Sequence, residues 1–525
     1  MPKRERTWWR LQTLELVLLL VAASLALTLL ANRLQLPSAV LLVLGGMVLA
    51  FLPGLPTVEL EPTFALALFL PPLLQASALR TDWNAFRENI LFIVLLAFGA
   101  VLFTAGVVAV AARQLLPELS WAAAITLGAI VAPPDAVAAA SVLKRFRLPK
   151  RILAVLEGES LINDASALVL YRVGVAATIA GTVPAKGLFG AIVVPALSGV
   201  AIGAAFGMVT NWLMRHLKDR FLEIVTSFLA AFLSYLAAEQ VHGSGVLAAV
   251  VCGGLIGRAQ LKLSAQTRLE TNSAWELVEF TLSSLVFLLV GLQLRGILSR
   301  IAHYQPGELL MLGAIVSLVL IVSRFLWVFA TFYPASAIMA VIRGGSFTPP
   351  PSYPTIISWS GMRGVVSLAA ALALPMSFPG RDLIIFLAFC AIFTTLVVQG
   401  TTLKLLIRWV DIDDPQIHEV TPATQTAREI VAAAIAGVGP SQPDAARHPV
   451  QAMQHQEDRA RQRGTRPSAI PLATTLQAKL ARIQAARKDL RSRRDAIDGE
   501  TLMTLTEELD LEERQILLAL GKTSE

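Results

Sequence analysis

The chain has 525 residues, of which 55% are hydrophobic and 15% are charged, and its formal net charge is +7. A soluble protein would carry about 25% charged residues, so the composition excludes a soluble globular fold for most of the chain. The positive charge does not indicate nucleic-acid binding, because residues 411–525 carry 15 basic and 18 acidic residues and the basic excess lies entirely in the apolar part.

Apolar runs of about 20 residues recur in the first 410 residues, and each can cross a bilayer core of about 30 Å. The first run is too long for a signal peptide and lacks a small-residue cleavage site, so we expect a retained helix. The predicted spans are 13–32, 37–53, 61–79, 88–112, 119–143, 152–180, 185–213, 221–238, 244–260, 274–294, 307–333, 354–375 and 382–408. We predict an all-α membrane protein of about thirteen transmembrane helices, with a transmembrane domain over residues 1–410 and a cytosolic helical tail over residues 411–525.

Basic residues in the predicted loops indicate the orientation of the chain. Fifteen lie after odd-numbered spans and five after even-numbered spans. Because cytoplasmic loops are enriched in lysine and arginine, we predict an external N-terminus and a cytoplasmic tail. Four basic residues among the first ten contradict this orientation, and one missed or extra span would resolve the conflict.

Two predicted spans contain helix breakers beside a charged residue. In the fifth span Pro133 and Pro134 precede Asp135, and in the twelfth Arg363 lies between two glycines in "GMRG". Consecutive prolines remove two backbone donors and interrupt a helix, but Pro134 keeps a carbonyl oxygen that a cation can bind. A pair of interrupted helices in two halves of a chain is typical of transporters built from inverted repeats.

The sixth span carries polar residues in "LEGESLINDASALV". Glu159 and Asn163 are four residues apart and share one helix face, while Ser160 and Asp164 share the neighbouring face. Asp135 on the broken fifth helix could meet Ser160 and Asp164. Carboxylate, hydroxyl and carbonyl oxygens suit a hard cation, and no histidine or cysteine cluster indicates zinc or haem, so we predict no cofactor.

Glu159 needs a partner inside the membrane, or it must be neutral. The basic residues within late spans are Arg324 and Arg363. The arginine fork suits a carboxylate, so we predict a buried ion pair that holds two helices together and does not carry the ion.

The tail reads as a linker, "GVGPSQPDAARHPVQ", followed by two charged amphipathic helices between "TTLQAK" and "LLAL". Apolar residues recur there every three or four positions, as in a helix with one buried face. The tail is interpreted as a helical hairpin that packs on itself or on a second copy, or alternatively as a regulatory module.

These motifs together resemble a known family. "GAIVAPPDAVAAASVLKRFRLPKR", "LEGESLINDASALVLY", "FLLVGLQL" and "GMRGVVSLAAALALP" are similar to those of the sodium–proton exchanger family of cation–proton antiporters, nearest to its bacterial NhaP-type branch. The resemblance covers most of residues 13–408. It implies a thirteen-helix fold of two inverted repeats, a homodimer in the plasma (inner) membrane, and exchange of sodium ions, or in some members lithium or potassium ions, for protons.

The resemblance also implies the ion site. Asp164 would be the transport carboxylate, which holds an alkali cation or a proton in turn. Asp135, Ser160 and the main-chain oxygen of Pro134 would help to hold the cation. Asn163 replaces a second titrating aspartate, which suggests one proton per cation and electroneutral exchange.

In the family pattern Glu159 pairs with the arginine equivalent to Arg324, and Arg363 is a second supporting charge. Two departures affect the cation ligands. Many relatives have threonine where this chain has Pro134, and many have glutamate where it has Gln75. Both departures leave the choice between sodium and potassium open.

Other functions remain as alternatives. A potassium–proton antiporter fits the same residues, and a non-transporting membrane sensor could use the same fold with its tail as output. A cation channel would need a selectivity filter, and the sequence contains no carbonyl-rich repeat like those of known filters. A membrane enzyme would need a base near Ser160, and the spans offer no histidine there.

Overall fold

The computed structural model describes residues 3–53, 62–135, 139, 143, 148–181, 187–217, 219–260, 265–302, 304–343, 350–410, 422–436, 472–493, 497 and 499–519. Every regular element among these residues is a helix. In the first 410 residues the helices are α1 (Lys3–Leu34), α2 (Ser38–Ala50), α3 (Pro62–Arg80), α4 (Trp83–Glu88), α5 (Ile90–Leu115), α6 (Trp121–Val131), α7 (Lys150–Ala180), α8 (Gly187–His216), α9 (Arg220–Gln240), α10 (Gly245–Ala259), α11 (Ala265–Arg300), α12 (Pro306–Arg343), α13 (Ser352–Trp359), α14 (Val365–Leu372) and α15 (Arg381–Val410). The tail contains α16 (Pro422–Ala436), α17 (Leu472–Ser492) and α18 (Gly499–Ala519).

The described helices confirm an all-α membrane fold. Each of the thirteen predicted spans overlaps at least one of them. Among the described residues, seven helical segments are long and apolar enough to cross a membrane: Glu15–Leu34, Ile90–Leu115, Val193–His216, Arg220–Gln240, Thr267–Arg300, Pro306–Ile342 and Arg381–Val410. Shorter apolar helices lie at four further predicted spans. The total of thirteen crossings and the inverted repeats stay predictions.

The two predicted helix breaks meet in space. Helix α6 ends at Val131, and the residues that follow it up to Asp135 are not helical. The second break separates α13 from α14, and the Asp135 N–H donates a hydrogen bond to the Met362 carbonyl of that break, at 2.7 Å. Each break therefore satisfies part of the other's backbone, as non-helical chain at membrane depth requires. Beyond Asp135, only Ala139 and Leu143 of the predicted fifth span lie within the described residues.

Helix α11 packs closely against α2. A Cβ atom on Gly46 would lie 2.2 Å from the Leu288 carbonyl oxygen, and one on Gly291 would lie 2.2 Å from the Val43 carbonyl oxygen. Glycine is required at both positions, since small residues let helix backbones approach in a membrane. This contact fixes the position of α11, which forms one wall of the candidate site and also carries the tail.

The tail is a bundle of three helices. The two predicted amphipathic helices correspond to α17 and α18, and the structure adds α16, which the sequence analysis missed. A shared apolar core includes Val431, Ala434, Ile483, Leu490, Leu505 and Leu509. The predicted linker at residues 437–451 lies outside the described residues.

The tail is joined to α11 by a buried ion pair. Arg268 of α11 donates from Nη2 and Nε to the two carboxylate oxygens of Asp510 on α18, at 2.6 and 2.8 Å. Arg487 of α17 donates to the same carboxylate at 2.7 Å and also pairs with Glu513. The side chains of Arg268 and Asp510 are only 6% and 1% exposed, so this contact is part of a packed interface.

We expect Asp510→Ala to release the tail from α11. The change leaves the guanidinium groups of Arg268 and Arg487 without this carboxylate in a buried site, which costs about 3–5 kcal/mol. Tryptic cleavage at lysines and arginines of α17 and α18, followed by mass spectrometry, should be faster than in the wild type. Asp489→Ala is the matched control, because Asp489 pairs with Arg493 at a partly exposed position. Equal cleavage rates in the two variants would contradict the docking role.

The same interface predicts a pH dependence. Burial raises the pKa of Glu507 on α18 above its ordinary value of 4.5; a hydrogen bond from Asn272 lowers it, while Glu276 and Asp510 raise it further. The docked state therefore binds the proton more tightly than the released state. The contribution of Glu507 to docking is therefore fully present below pH 4.5 and is lost as the pH rises through the raised pKa.

Glu507→Gln should remove this dependence, since glutamine does not titrate. The ratio of cleavage rates between wild type and variant, measured from about pH 5 to about pH 8, cancels the pH dependence of trypsin itself. A ratio that stays constant over this range would show that Glu507 does not control docking.

Candidate cation-binding site

A cavity of about 120 Å³ lies where the breaks meet α3, α7 and α11. It has room for several waters or ions, since one water needs about 10–15 Å³ by this measure. Its polar lining residues are Ser77, Arg80, Asp135, Glu157, Ser160, Asp164, Glu279, Ser283 and Ser367.

Four of the predicted ion ligands line this cavity together. Asp164 and Ser160 project from neighbouring turns of α7, and Pro134 and Asp135 come from the break after α6. Asp164 is 8% exposed, and no lysine or arginine among the described residues is in ion-pair contact with it. Carboxylate, hydroxyl and carbonyl oxygens form a ligand set for a hard cation.

Asn163, which the resemblance placed in the ion site, does not line the cavity. It is fully buried, and its Nδ2 donates a hydrogen bond to the Pro134 carbonyl at 2.8 Å. The amide therefore holds the broken segment against α7. The Pro134 oxygen keeps one further lone pair, because a carbonyl oxygen can accept two bonds.

Gly364 makes room for the Asp135 carboxylate. A Cβ atom at this position would lie 1.7 Å from Oδ2 of Asp135. Gly364 is the N-cap residue of α14, so the carboxylate lies beside the positive end of a helix, where anions are stabilised. Glycine is thus required at position 364 because the Asp135 carboxylate lies so close to it.

Glu159 and Arg324 form the buried ion pair that the sequence suggested. Arg324 donates to both carboxylate oxygens at 2.7 and 2.8 Å, and the side chains are 3% and 1% exposed for Arg324 and Glu159. Arg324 also donates to the Ile357 carbonyl at 3.2 Å. A Cβ atom on Gly361 would lie 2.3 Å from Arg324 Cδ. The pair ties α7 and α12 to the end of α13, outside the cavity lining.

Arg363 does not share in this pair. It is 1% exposed, and its Nε and Nη1 atoms have no hydrogen-bond partner among the described residues. Its backbone N–H donates to Thr395 Oγ1 at 3.0 Å. Arg324 donates to both oxygens of Glu159, whereas Arg363 forms no ion pair with that carboxylate among the described residues.

The sequence analysis missed an ion pair at the other end of the cavity. Arg80 at the end of α3 pairs with Glu279 on α11, and each side chain is about one quarter exposed. Glu157, which is exposed, lines the same region. Solvent therefore reaches this end. Opposite charges near the ends of two spans are compatible with an ion pair. Sequence alone, however, does not predict that residues 199 positions apart are in contact.

Gln75, where many relatives carry glutamate, faces away from the cavity. It is fully buried, and its Nε2 donates to the Ser227 carbonyl on α9 at 2.6 Å. The amide joins α3 to α9 and does not line the cavity. This position therefore contributes no ligand to the described cavity.

Comparison with known proteins gives consistent matches. A family model described as the transmembrane sodium/hydrogen exchanger matches residues 19–409. An uncharacterized Na+/H+ exchanger of Mycobacterium tuberculosis is 36% identical over 416 residues, which cover 77% of this chain and 76% of that protein. A sodium, potassium, lithium and rubidium/H+ antiporter of Bacillus pumilus is 33% identical, over 69% of this chain and 56% of that protein.

A solved structure has a similar fold. The sodium proton antiporter MjNhaP1 from Methanocaldococcus jannaschii superimposes with a TM-score of 0.61 at 18% sequence identity, over 77% of this chain and 99% of that chain. At this identity the likeness concerns the fold alone. It agrees with the all-α membrane architecture of this chain.

We expect Glu159→Gln to destabilise the protein strongly. Loss of the carboxylate leaves Arg324 and Arg363 as buried positive charges, which costs about 3–5 kcal/mol. The double variant Glu159→Gln with Arg324→Gln should be less destabilised than Glu159→Gln alone, because it removes one of those charges. The free energy of unfolding in detergent, from a denaturant titration, measures both effects.

Asp382→Asn is the control for this experiment. Its carboxylate is 41% exposed and lies 3.8 Å from Arg300, so its loss should cost less than about 1 kcal/mol. If Glu159→Gln proved as mild as this control, the buried pair would not support the fold.

Proposed function

The chain belongs to the sodium/hydrogen exchanger family, and from that premise we propose how its residues carry out transport. The protein is a multi-pass membrane transporter that exchanges monovalent cations for protons. The observation that carries the proposal is the convergence of Asp164, Ser160 and Asp135 on one cavity beside two crossed helix breaks.

Exchange follows from the requirement that Asp164 be neutralised. A carboxylate buried at membrane depth is costly without a partner, and Asp164 is almost fully buried. A proton on the carboxyl group satisfies it, and so does a cation held with Ser160, Asp135 and the Pro134 oxygen. Binding one ligand excludes the other. The Asp164 site therefore changes its exposure from one side of the membrane to the other with either a cation or a proton bound. This couples the cation gradient to the proton gradient.

We propose that one proton is exchanged for each cation. Asn163 stands beside Asp164 and cannot titrate, and its amide is bound to the Pro134 carbonyl. A single exchangeable proton per cation makes transport electroneutral. Alternating access then comes from movement of one helix bundle against the other around the crossed breaks, as in other transporters with broken helices.

The end of the cavity near Arg80 and Glu279 is proposed to open to the cytoplasm. Glu279 lies eleven residues along α11 from Arg268, which binds the tail, or about 16 Å of helix. The basic-residue bias of the loops assigns this side to the cytoplasm. The proposed organisation is a transmembrane unit of residues 1–410 and a cytoplasmic tail of residues 411–525, as a homodimer in the plasma membrane that serves pH homeostasis and sodium tolerance.

Sodium is the proposed main cation, with potassium–proton exchange as the second candidate. The Bacillus pumilus relative is named as an antiporter of sodium, potassium, lithium and rubidium. In this chain Gln75 brings no carboxylate to the cavity, and a less charged ligand set discriminates less sharply among cations.

Asp164→Asn should abolish exchange. The purified protein is reconstituted into vesicles that contain a pH-sensitive dye, and pulses of sodium, lithium and potassium are applied in turn. The wild type should move protons in response to at least one cation, at a rate that does not depend on an imposed membrane potential. The variant should fall to the rate of empty vesicles, because its amide neither titrates nor offers a negative charge.

Asp382→Asn serves as the transport control, because its exposed carboxylate lies outside the cavity. Cation-driven proton flux that persisted in Asp164→Asn would remove Asp164 from its role. Absence of flux in the wild type with all three cations would favour a sensor on the same fold. Flux that follows the membrane potential would contradict the electroneutral stoichiometry.

A further inference from the structure

Ser367 presents to the cavity a buried hydroxyl that has no hydrogen-bond partner among the described residues. Ser367 is the third residue of α14, directly after the second helix break, and its side chain is 1% exposed. It lines the same cavity as Asp164, Asp135 and Ser160. Its Oγ atom makes no hydrogen bond among the residues that the structure describes.

Such a group is costly to bury. A hydroxyl removed from water without a compensating bond lowers stability, and serines in helices commonly satisfy it by donating to a carbonyl one turn earlier. Ser358 and Ser317 do so here, with bonds to Pro354 and Gly313 at 2.7 Å. Ser367 follows a glycine-rich break and makes no such bond. Its hydroxyl is therefore free to serve a group inside the cavity.

Comparison with two other serines shows that Ser367 differs from other residues with an unsatisfied hydroxyl. Ser283 on α11 also lines the cavity with a buried Oγ atom that has no partner among the described residues, but the residue as a whole is only partly buried and does not belong to a broken helix. Ser360, which lies between α13 and α14, is 2% exposed and has no partner for its hydroxyl among the described residues, but it does not line the cavity. Only Ser367 of these three combines deep burial, an unused oxygen and a position in the cavity.

The residues assigned so far supply few oxygen ligands for a cation at Asp164. Gln75 faces α9, Pro134 has no side-chain hydroxyl, and one lone pair of its carbonyl is used by Asn163. The ligands already assigned come from α7 and from the break after α6. A neutral hydroxyl oxygen from the second broken helix is a hard ligand of the kind that alkali cations take.

We propose that Ser367 is a further ligand of the transported cation, which it binds through Oγ together with Asp164, Ser160 and Asp135. The inference rests on the proposed function and extends it, since it adds the second broken helix to the ion site. It also assigns to Ser367 a share in the choice among lithium, sodium and potassium, because each ligand changes the size and strength of the oxygen cage.

The test compares Ser367→Ala, Ser367→Cys and Ser360→Ala in the full-length protein in vesicles. Ser367→Ala removes the oxygen, and Ser367→Cys replaces it with a soft sulfur of similar shape, so that folding is preserved if alanine is not tolerated. Ser360→Ala removes an equally buried hydroxyl from the same break outside the cavity. The half-saturating concentrations of sodium, lithium and potassium and the maximal rates are measured at one fixed pH.

We expect both Ser367 variants to raise the half-saturating sodium concentration by about 3- to 10-fold, the worth of one neutral oxygen ligand. The maximal rate should stay within about twofold, and the order of preference among the three cations should change. Ser360→Ala should match the wild type. Thermal stabilisation of the purified protein by sodium alone should weaken in the Ser367 variants, which gives a readout independent of transport.

Unchanged cation dependence in Ser367→Cys, with unchanged stabilisation by sodium, would overturn the inference and leave the hydroxyl to cavity water. Equal effects of Ser367→Ala and Ser360→Ala would also overturn it, since they would indicate a structural role for the break. If the wild type itself showed no cation-driven proton flux, the proposed function would fail, a result distinct from a failure confined to Ser367.

Discussion

The cost of holding a carboxylate inside a membrane governs this structure, and the protein meets it in two ways on neighbouring turns of one helix. Glu159 has a permanent partner, because both of its oxygens accept bonds from Arg324 in a pair that is almost completely buried. Asp164, five residues further along α7, faces a cavity and has no lysine or arginine in contact among the described residues. The first carboxylate stabilises the fold, and in the proposed mechanism the second is left for an exchangeable cation or proton.

The crossed breaks create the place where that exchange can occur. Unwound backbone is tolerated at membrane depth only where protein or a water-filled cavity satisfies it. Here the Asp135 N–H binds the Met362 carbonyl, and Asn163 binds the Pro134 carbonyl. The two breaks also pack closely, because Gly364 leaves the space that the Asp135 carboxylate occupies. The same breaks release the Ser367 hydroxyl from helix bonding, which is why we assign it to the ion.

Helix α11 connects this site to the tail. The glycine contact with α2 fixes α11 in the transmembrane part. Glu279 of α11 pairs with Arg80 at the end of the cavity that solvent reaches, and Arg268 of α11 binds Asp510 of α18. The tail is thus docked on a helix that lines the candidate cation-binding cavity. Because Glu507 at this interface carries a raised pKa, we expect docking of the tail to depend on pH.

The sequence by itself determined the membrane class, the approximate positions of the apolar helices, both breaks, and the grouping of Ser160 and Asp164 on one helix face, because hydropathy, proline chemistry and helical periodicity are local properties. Only the tertiary structure decided which distant residues meet. It directed Gln75 and Asn163 away from the cavity, paired Arg80 with Glu279, placed Ser367 in the cavity that Asp164 lines, and joined Asp510 to Arg268. These contacts join residues on separate helices, and no periodicity within one helix encodes which helix will be its neighbour.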